Sequence, residues 1–229
     1  MNNYICYLLS YVKFGDQDAV LHCFSETTGF KSFFVKGIYS AKNKKKPYLF
    51  PLNLLELTTS NTRKQNSIPL VSKIALAPGF DDFNDVKVNT ILFFVADFLH
   101  QILREEDGSK SAFLEIQKFK DQITLNNYNS YIALIFNFLK ISGIAPLFSD
   151  KVFLHPETGT FGDETTHFSF SADLSAIWKR YLQEEDNYLI KLNRAERNAF
   201  LDSLMIYYKR HFTGFYLPNS LDVLRQIYS

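Results

Sequence analysis

Over the first 80 residues the apolar positions fall in short runs, broken at regular intervals by turn-forming residues. The runs are YICYLLSYV (4–12), DAVLHCFS (18–25), FKSFFVKG (30–37), LNLLELTT (52–59) and SIPLVSKIAL (67–76). They are rich in Val, Ile, Leu, Phe and Tyr, which suit a pleated, half-buried surface. Gly15-Asp16, Thr28-Gly29, Pro47 with Pro51, and the polar residues 61–66 separate them. The gap ETTG is short enough for a hairpin. Five such strands are too few for a two-sheet immunoglobulin sandwich and suit a small barrel, so a five-stranded OB-fold is the expectation. Closing the sheet also removes exposed strand edges.

After APGFDDFND (77–85) the period changes. Ile91, Val95, Phe98 and Ile102, flanked by Leu92, Leu99 and Leu103, trace one broad helical stripe, with Asn84 or Asp85 as its cap. GSKSAFLEIQKFKDQI (108–123) predicts a second helix. NSYIALIFNFLKISG (129–143) predicts a third, apolar nearly all round and therefore buried, ended by Gly143 and Pro146. LFSDKVFLHPETGTFGDETTHFSFS (147–171) has the texture of an irregular hairpin. SADLSAIWKRYL (171–182) and RAERNAFLDSLMIYYKRHF (194–212) return to helical spacing, and Ser220 caps a short closing helix. The expected fold is α+β: an OB barrel over residues 1–80, then a helical domain over 81–229 with a small β-hairpin insertion.

Hydrophobic residues at 46% and charged residues at 21% are ordinary for a globular chain, and no apolar run reaches membrane-spanning length. The first residues carry neither a basic leader nor a small-residue cleavage site. Two cysteines, Cys6 and Cys23, are no disulfide framework; a reduced, cytoplasmic protein is expected, with the thiols as buried apolar groups. The net charge of +1 conceals a dipole. Residues 1–80 hold ten Lys/Arg against four acids, a net of +6, and the remainder carries −5. That asymmetry points to an anionic partner for the first part.

Much of the positive charge sits in one connection. Lys42, Lys44, Lys45 and Lys46 fall within five residues, and no acid lies between Glu26 and Glu56. A solvated loop is the plain reading. Its place on a basic OB barrel, beside Phe30, Phe33, Phe34, Tyr39, Tyr48 and Phe50, favours nucleic acid, which needs cations for phosphates and rings for bases. The candidate phosphate contacts are Lys31, Lys36, Lys42, Lys44, Lys45, Lys46, Arg63 and Lys64, with Tyr39 and Tyr48 as stacking residues. His155, Asp163, Glu164 and His167 form a mixed cluster without metal-site spacing, and His22, His100 and His211 are isolated. No P-loop, dinucleotide fingerprint, nucleophile elbow or HExxH motif occurs, so nothing points to an enzyme, a cofactor or a metal.

The stretch FGDQDAVLHCFSETTGFKSFFVKG, a basic loop and then LFPLNLLELT resembles the start of the bacterial DNA repair protein RecO family. The matching positions are Gly15 and Asp18 in a turn, Phe24 and Gly29, the pair Lys36-Gly37, and Leu49, Pro51, Leu55, Glu56 and Leu57. SLDVLRQI (220–227) is similar to the family's closing helix, and SGIAPLFSDKVFLHPETGTF fits the slot after the central helix. The resemblance implies an OB domain, a helical domain and a non-catalytic role in recombinational repair. It implies binding of single- and double-stranded DNA, annealing of complementary strands, and help from RecR in loading the RecA recombinase onto strands coated by single-strand binding protein (SSB). It also implies that the C-terminal tail of SSB docks on the helical domain, and that the protein is associated with the bacterial nucleoid. Many members carry a four-cysteine zinc module after the central helix; residues 143–172 contain no cysteine, so no zinc is expected here, and the hairpin is expected to keep its place by β pairing and the packing of Val152, Leu154 and Phe161. The rival reading is an RNA-binding OB module with a helical protein-interaction domain.

Overall fold

The computed structural model describes residues 1–60, 67–77 and 85–227. The chain folds as two compact units, Met1–Phe113 with Pro218–Ser229, and Leu114–Leu217.

In the first unit, β1 (Asn2–Phe14), β2 (Asp18–Ser25), β3 (Gly29–Val35), β4 (Leu54–Thr59) and β5 (Leu70–Leu76) close into a barrel in the order β1-β2-β3-β5-β4. β4 returns to pair with β1. This is the five-stranded, OB-type barrel that the apolar runs predict. Every pairing is antiparallel except β3 with β5, which is parallel and rests on Phe34↔Leu70 and Val35↔Val71. β1 serves two neighbours, β4 along Asn2–Tyr7 and β2 along Tyr7–Phe14, and an irregularity between Leu8 and Ser10 lets it bend from one to the other. Alternate residues fill the interior, among them Leu8, Leu21, Phe33, Leu55 and Ile74. Each fully buried side chain of this size contributes about 1.5–3 kcal/mol. Cys6 and Cys23 are free thiols in the same core; burial, then the hydrogen bond to Cys6, pushes the Cys23 thiol well up.

Gly29 joins β2 to β3 with φ +63°, and a Cβ there would collide with the backbone of Glu106 and Asp107. The same contact gives a hydrogen bond from Phe30 N to the Glu106 carbonyl at 3.0 Å. α1 (Val86–Ile102) packs on β1, with its whole predicted stripe buried. Its cap is Asp85, whose carboxylate accepts from Lys87 N at 2.7 Å. α6 (Leu221–Ile227) packs on α1, and Ser220 donates from Oγ to Asp97 at 3.0 Å.

α2 (Lys110–Thr124) runs from the first unit into the second. The second unit also holds α3 (Ser130–Ile141), β6 (Phe153–His155), β7 (Thr160–Gly162), α4 (Ala172–Gln183) and α5 (Arg194–His211). α3 is buried over Ser130–Phe136, as its all-round apolar surface requires. Phe136, Trp178, Tyr181 and Phe200 pack ring on ring, and Trp178 donates from Nε1 to Ser203 Oγ at 3.0 Å. The hairpin β6–β7 is held by buried Leu154 and Phe161, and by Leu154 N donating to Ser175 Oγ at 2.9 Å. Val152, expected to pack there as well, precedes the strand and is exposed. His155 lies over Gly162 and donates from Nε2 to the Glu164 carbonyl at 2.8 Å. Among the described residues no three His, Cys, Asp or Glu converge as metal ligands, and no helix is long and apolar enough to cross a membrane.

Candidate nucleic-acid interface

The lysine-rich connection between β3 and β4 is a folded structure. Gly37 takes φ +64°, and its N–H donates to the Asp18 carboxylate at 2.8 Å. Its carbonyl accepts from Ser40 N at 3.1 Å and from Asn43 Nδ2 at 3.0 Å. Asn43 Oδ1 in turn accepts from Lys45 N at 2.9 Å. Pro47 presets a 3-10 turn over Lys46–Tyr48. Ile38 and Leu49 enter the barrel core at either end, and the buried Asn53 amide donates to the Tyr48 carbonyl at 3.2 Å. A chain pinned at so many points holds its cations in place.

Lys36, Lys42, Lys44, Lys45 and Tyr48 line one groove of about 520 Å³, whose opposite wall is Val71, Ser72 and Ile74 of β5. No carboxylate is among its lining residues. Lys36, Lys42 and Lys44 are exposed, whereas Lys45 is half-buried and donates from Nζ to the Ile74 carbonyl at 3.0 Å. Four ammonium groups around one concave surface repel each other and attract a polyanion, an effect that salt screens over about 10 Å at 0.1 M.

The other predicted residues lie apart from this groove. Lys46 points its ammonium at the Tyr39 ring, 5.9 Å from the centroid, and Lys13 does the same from 5.8 Å. Tyr39 is half-buried against the barrel core; burial, then the neighbouring Tyr11, raises its hydroxyl pKa. Lys31 donates from Nζ to Tyr4 Oη at 3.3 Å and lines a separate polar recess of about 300 Å³ with Asn2, Thr59 and Ser60. Arg63 and Lys64 lie outside the described residues. The sequence pattern does not single out Lys13, which ends up beside Tyr39 only because Tyr39 N bonds the Gln17 carbonyl at 2.9 Å and folds the connection back on the β1–β2 turn.

The family model "Recombination protein O N terminal" matches residues 1–80, the segment that contains the barrel and the lysine groove. Similarity continues through the rest of the chain. A protein of Flavobacterium psychrophilum is 26% identical over 235 residues, covering 97% of both chains, and one of Flavobacterium johnsoniae is 26% identical over 230 residues with the same coverage. A protein of Bacteroides fragilis is 25% identical over 243 residues, covering 96% of both. All three carry the name DNA repair protein RecO. The chain is thus similar to RecO proteins along nearly its whole length, and its first 80 residues match the family's N-terminal model. The barrel matched by the family model is the one on which the lysine groove is built. Residues 143–172 hold no cysteine, and the hairpin there is tied by Leu154 N to Ser175 Oγ and by His155 to the Glu164 carbonyl.

Proposed function

We propose that this chain is a non-catalytic DNA-binding protein of recombinational repair. It gathers single- and double-stranded DNA, anneals complementary strands and, with RecR, helps load RecA onto strands coated by SSB. The observation that carries the reading is the grouping of Lys36, Lys42, Lys44 and Lys45 around one groove of an OB-type barrel. Annealing brings two polyanions together. A protein that neutralises phosphates on each lowers their repulsion without reading sequence. Engagement of about five to seven phosphates gives a log–log salt slope of roughly −3 to −5 on single strands.

The tail of SSB is assigned to the second unit. Support comes from a groove beside α4 lined by Arg180, Lys191, one carboxylate (Glu184) and Leu189, which is 69% exposed. An apolar residue with cations at its rim suits a peptide ending in an aromatic side chain and a carboxylate.

The test is an annealing assay with complementary oligonucleotides, bare and SSB-coated. Faster annealing of both is expected, and the rate should fall steeply with salt. Absence of annealing, or a preference for RNA over DNA of the same sequence, overturns the reading in favour of an RNA-binding module.

A further inference from the structure

The outer wall of the barrel carries a feature that the lysine groove does not use. Alternate side chains of a strand leave opposite faces. Ala19, Leu21 and Cys23 of β2, and Phe33 and Val35 of β3, point into the core, so Val20 and Phe34 point outward. The strand registers align these outward positions. Val12 stands opposite Val20, Val20 opposite Phe34, and Phe34 opposite Leu70. One apolar row thus crosses four strands. Phe14 joins it, its ring centroid 5.5 Å from that of Phe34 and the planes 83° apart. Outward positions of a half-solvated sheet are ordinarily polar. Here Phe14 is 60% exposed and Val12 57%.

The row adjoins the cationic groove. Lys36 lies two residues beyond Phe34, and Ser72 two beyond Leu70; both line the groove. Two residues of strand span about 6.5–7 Å. Because the barrel is closed, the row has no free edge to which another protein could add a strand. Only side chains are on offer, and they are aromatic and aliphatic next to fixed positive charge. Two carboxylates stand at the row's end: Asp18, opposite Phe14 in the register and occupied by the Gly37 N–H, and the exposed Asp16, two residues beyond Phe14 in the β1–β2 turn.

From this juxtaposition we infer that Phe14 and Phe34 form a stacking platform for the bases of a single strand whose phosphates run through the groove of Lys36, Lys42, Lys44 and Lys45. The inference rests on the DNA-binding reading above and extends it to the bases. Single strands are held by cations along the backbone and by rings under the bases, and the stacking is sequence-tolerant. Tyr39 and Tyr48 are packed against the barrel core, whereas Phe14 is exposed on the row, with the half-buried Phe34 ring edge-on against it. A duplex keeps its bases stacked on each other, so the platform favours single strands.

The experiment compares a fluorescent oligo-dT with an abasic strand of equal length, titrated with the full chain at several salt concentrations. Wild type is expected to bind oligo-dT more tightly than the abasic strand. Phe14→Ala should weaken oligo-dT binding about 5- to 150-fold, while abasic binding and the salt slope stay as they were. Phe34→Trp, which keeps a ring and guards against misfolding of an alanine variant, should retain affinity and show quenching by oligo-dT but not by the abasic strand. Equal wild-type affinity for both strands, or unchanged oligo-dT binding by Phe14→Ala, overturns the platform, leaves the lysine groove standing and hands the row to a protein partner. Failure to bind either strand at low salt overturns the groove as well.

Discussion

Lys45 reaches across its groove and donates from Nζ to the main-chain carbonyl of Ile74, 3.0 Å away. The contact sets it apart from Lys36, Lys42 and Lys44, which are exposed. Lys45 braces the connection against β5 as well as adding charge. The triple change of Lys36, Lys42 and Lys44 to Ala should flatten the single-strand salt slope by about 2, from roughly 0.7 per phosphate, with little change in Tm. Lys45→Ala should lower both the slope and the Tm, as read by thermal unfolding beside the binding titration. An unaltered slope in the triple variant would remove the groove from the binding surface.

The Gly29 turn gives a stability test. Alanine there needs a left-handed backbone and drives its Cβ into the carbonyl of Glu106. Gly29→Ala is expected to cost about 3–5 kcal/mol in urea unfolding. Gly15 has nearly the same φ, +59°, but an added methyl group would meet nothing within 4 Å, so Gly15→Ala should cost only about 1–2 kcal/mol.

Glu115 accepts at 2.7 Å from both Tyr188 Oη and Asn137 Nδ2. Burial, then this carboxylate's charge, drives the Tyr188 hydroxyl far above its usual pKa and keeps it a donor. Glu115→Leu strands two polar groups and should destabilise the second unit by about 2–4 kcal/mol. Adding Tyr188→Phe should recover part of that loss, because one orphaned donor disappears with it. A double variant no more stable than the single one would show that the two groups are not coupled.

His22 stacks on Phe30 and lies 5.4 Å from His100, ring centroid to centroid. Burial first, then Arg104 for His22 and both His22 and Arg104 for His100, lowers both pKa values, although Asp97 pulls that of His100 upward. The unfolded chain therefore binds these protons at higher pH than the folded one. Stability is complete above the ordinary value of about 6.5 and declines as pH falls from there through the folded pKa values. Urea titrations at pH 7.5 and 5.5 should show the drop, and His22→Phe should shrink it. A pH-independent midpoint would refute the linkage.

The hairpin of residues 153–162 is held by ordinary packing and hydrogen bonds, so chelators should leave Tm unchanged. Gly162→Ala should lower it, because the added methyl collides with the His155 ring. A Tm that falls on chelation would reveal a metal contribution to the hairpin.

How much of the fold and the interface is legible in the chain depends on distance along it. Strand and helix patterns are local, and the runs from Tyr4 to Leu76 and the stripe from Ile91 to Leu103 carry the barrel and the first helix. The four clustered lysines are equally plain. What escapes are contacts made by residues far apart in the chain: Lys45 with Ile74, the parallel closure of β3 on β5, and the bond of Ser220 to Asp97. In the sequence Phe34 is one aromatic among several. Only the register that sets it opposite Val20 and Leu70 singles it out. Val152 falls outside its strand because an alternating pattern does not say where pairing begins.

The return of α6 to α1 means that the barrel-bearing unit is not a continuous length of polymer. A ribosome has to make more than a hundred further residues after α1 before Leu221 and Leu224 can be buried. Until then the nascent head carries a bare greasy flank, open to chaperones, and a fragment cut at residue 113 would keep that flank for good. Anyone dissecting the molecule should therefore splice residues 218–227 back onto the head rather than cut it short.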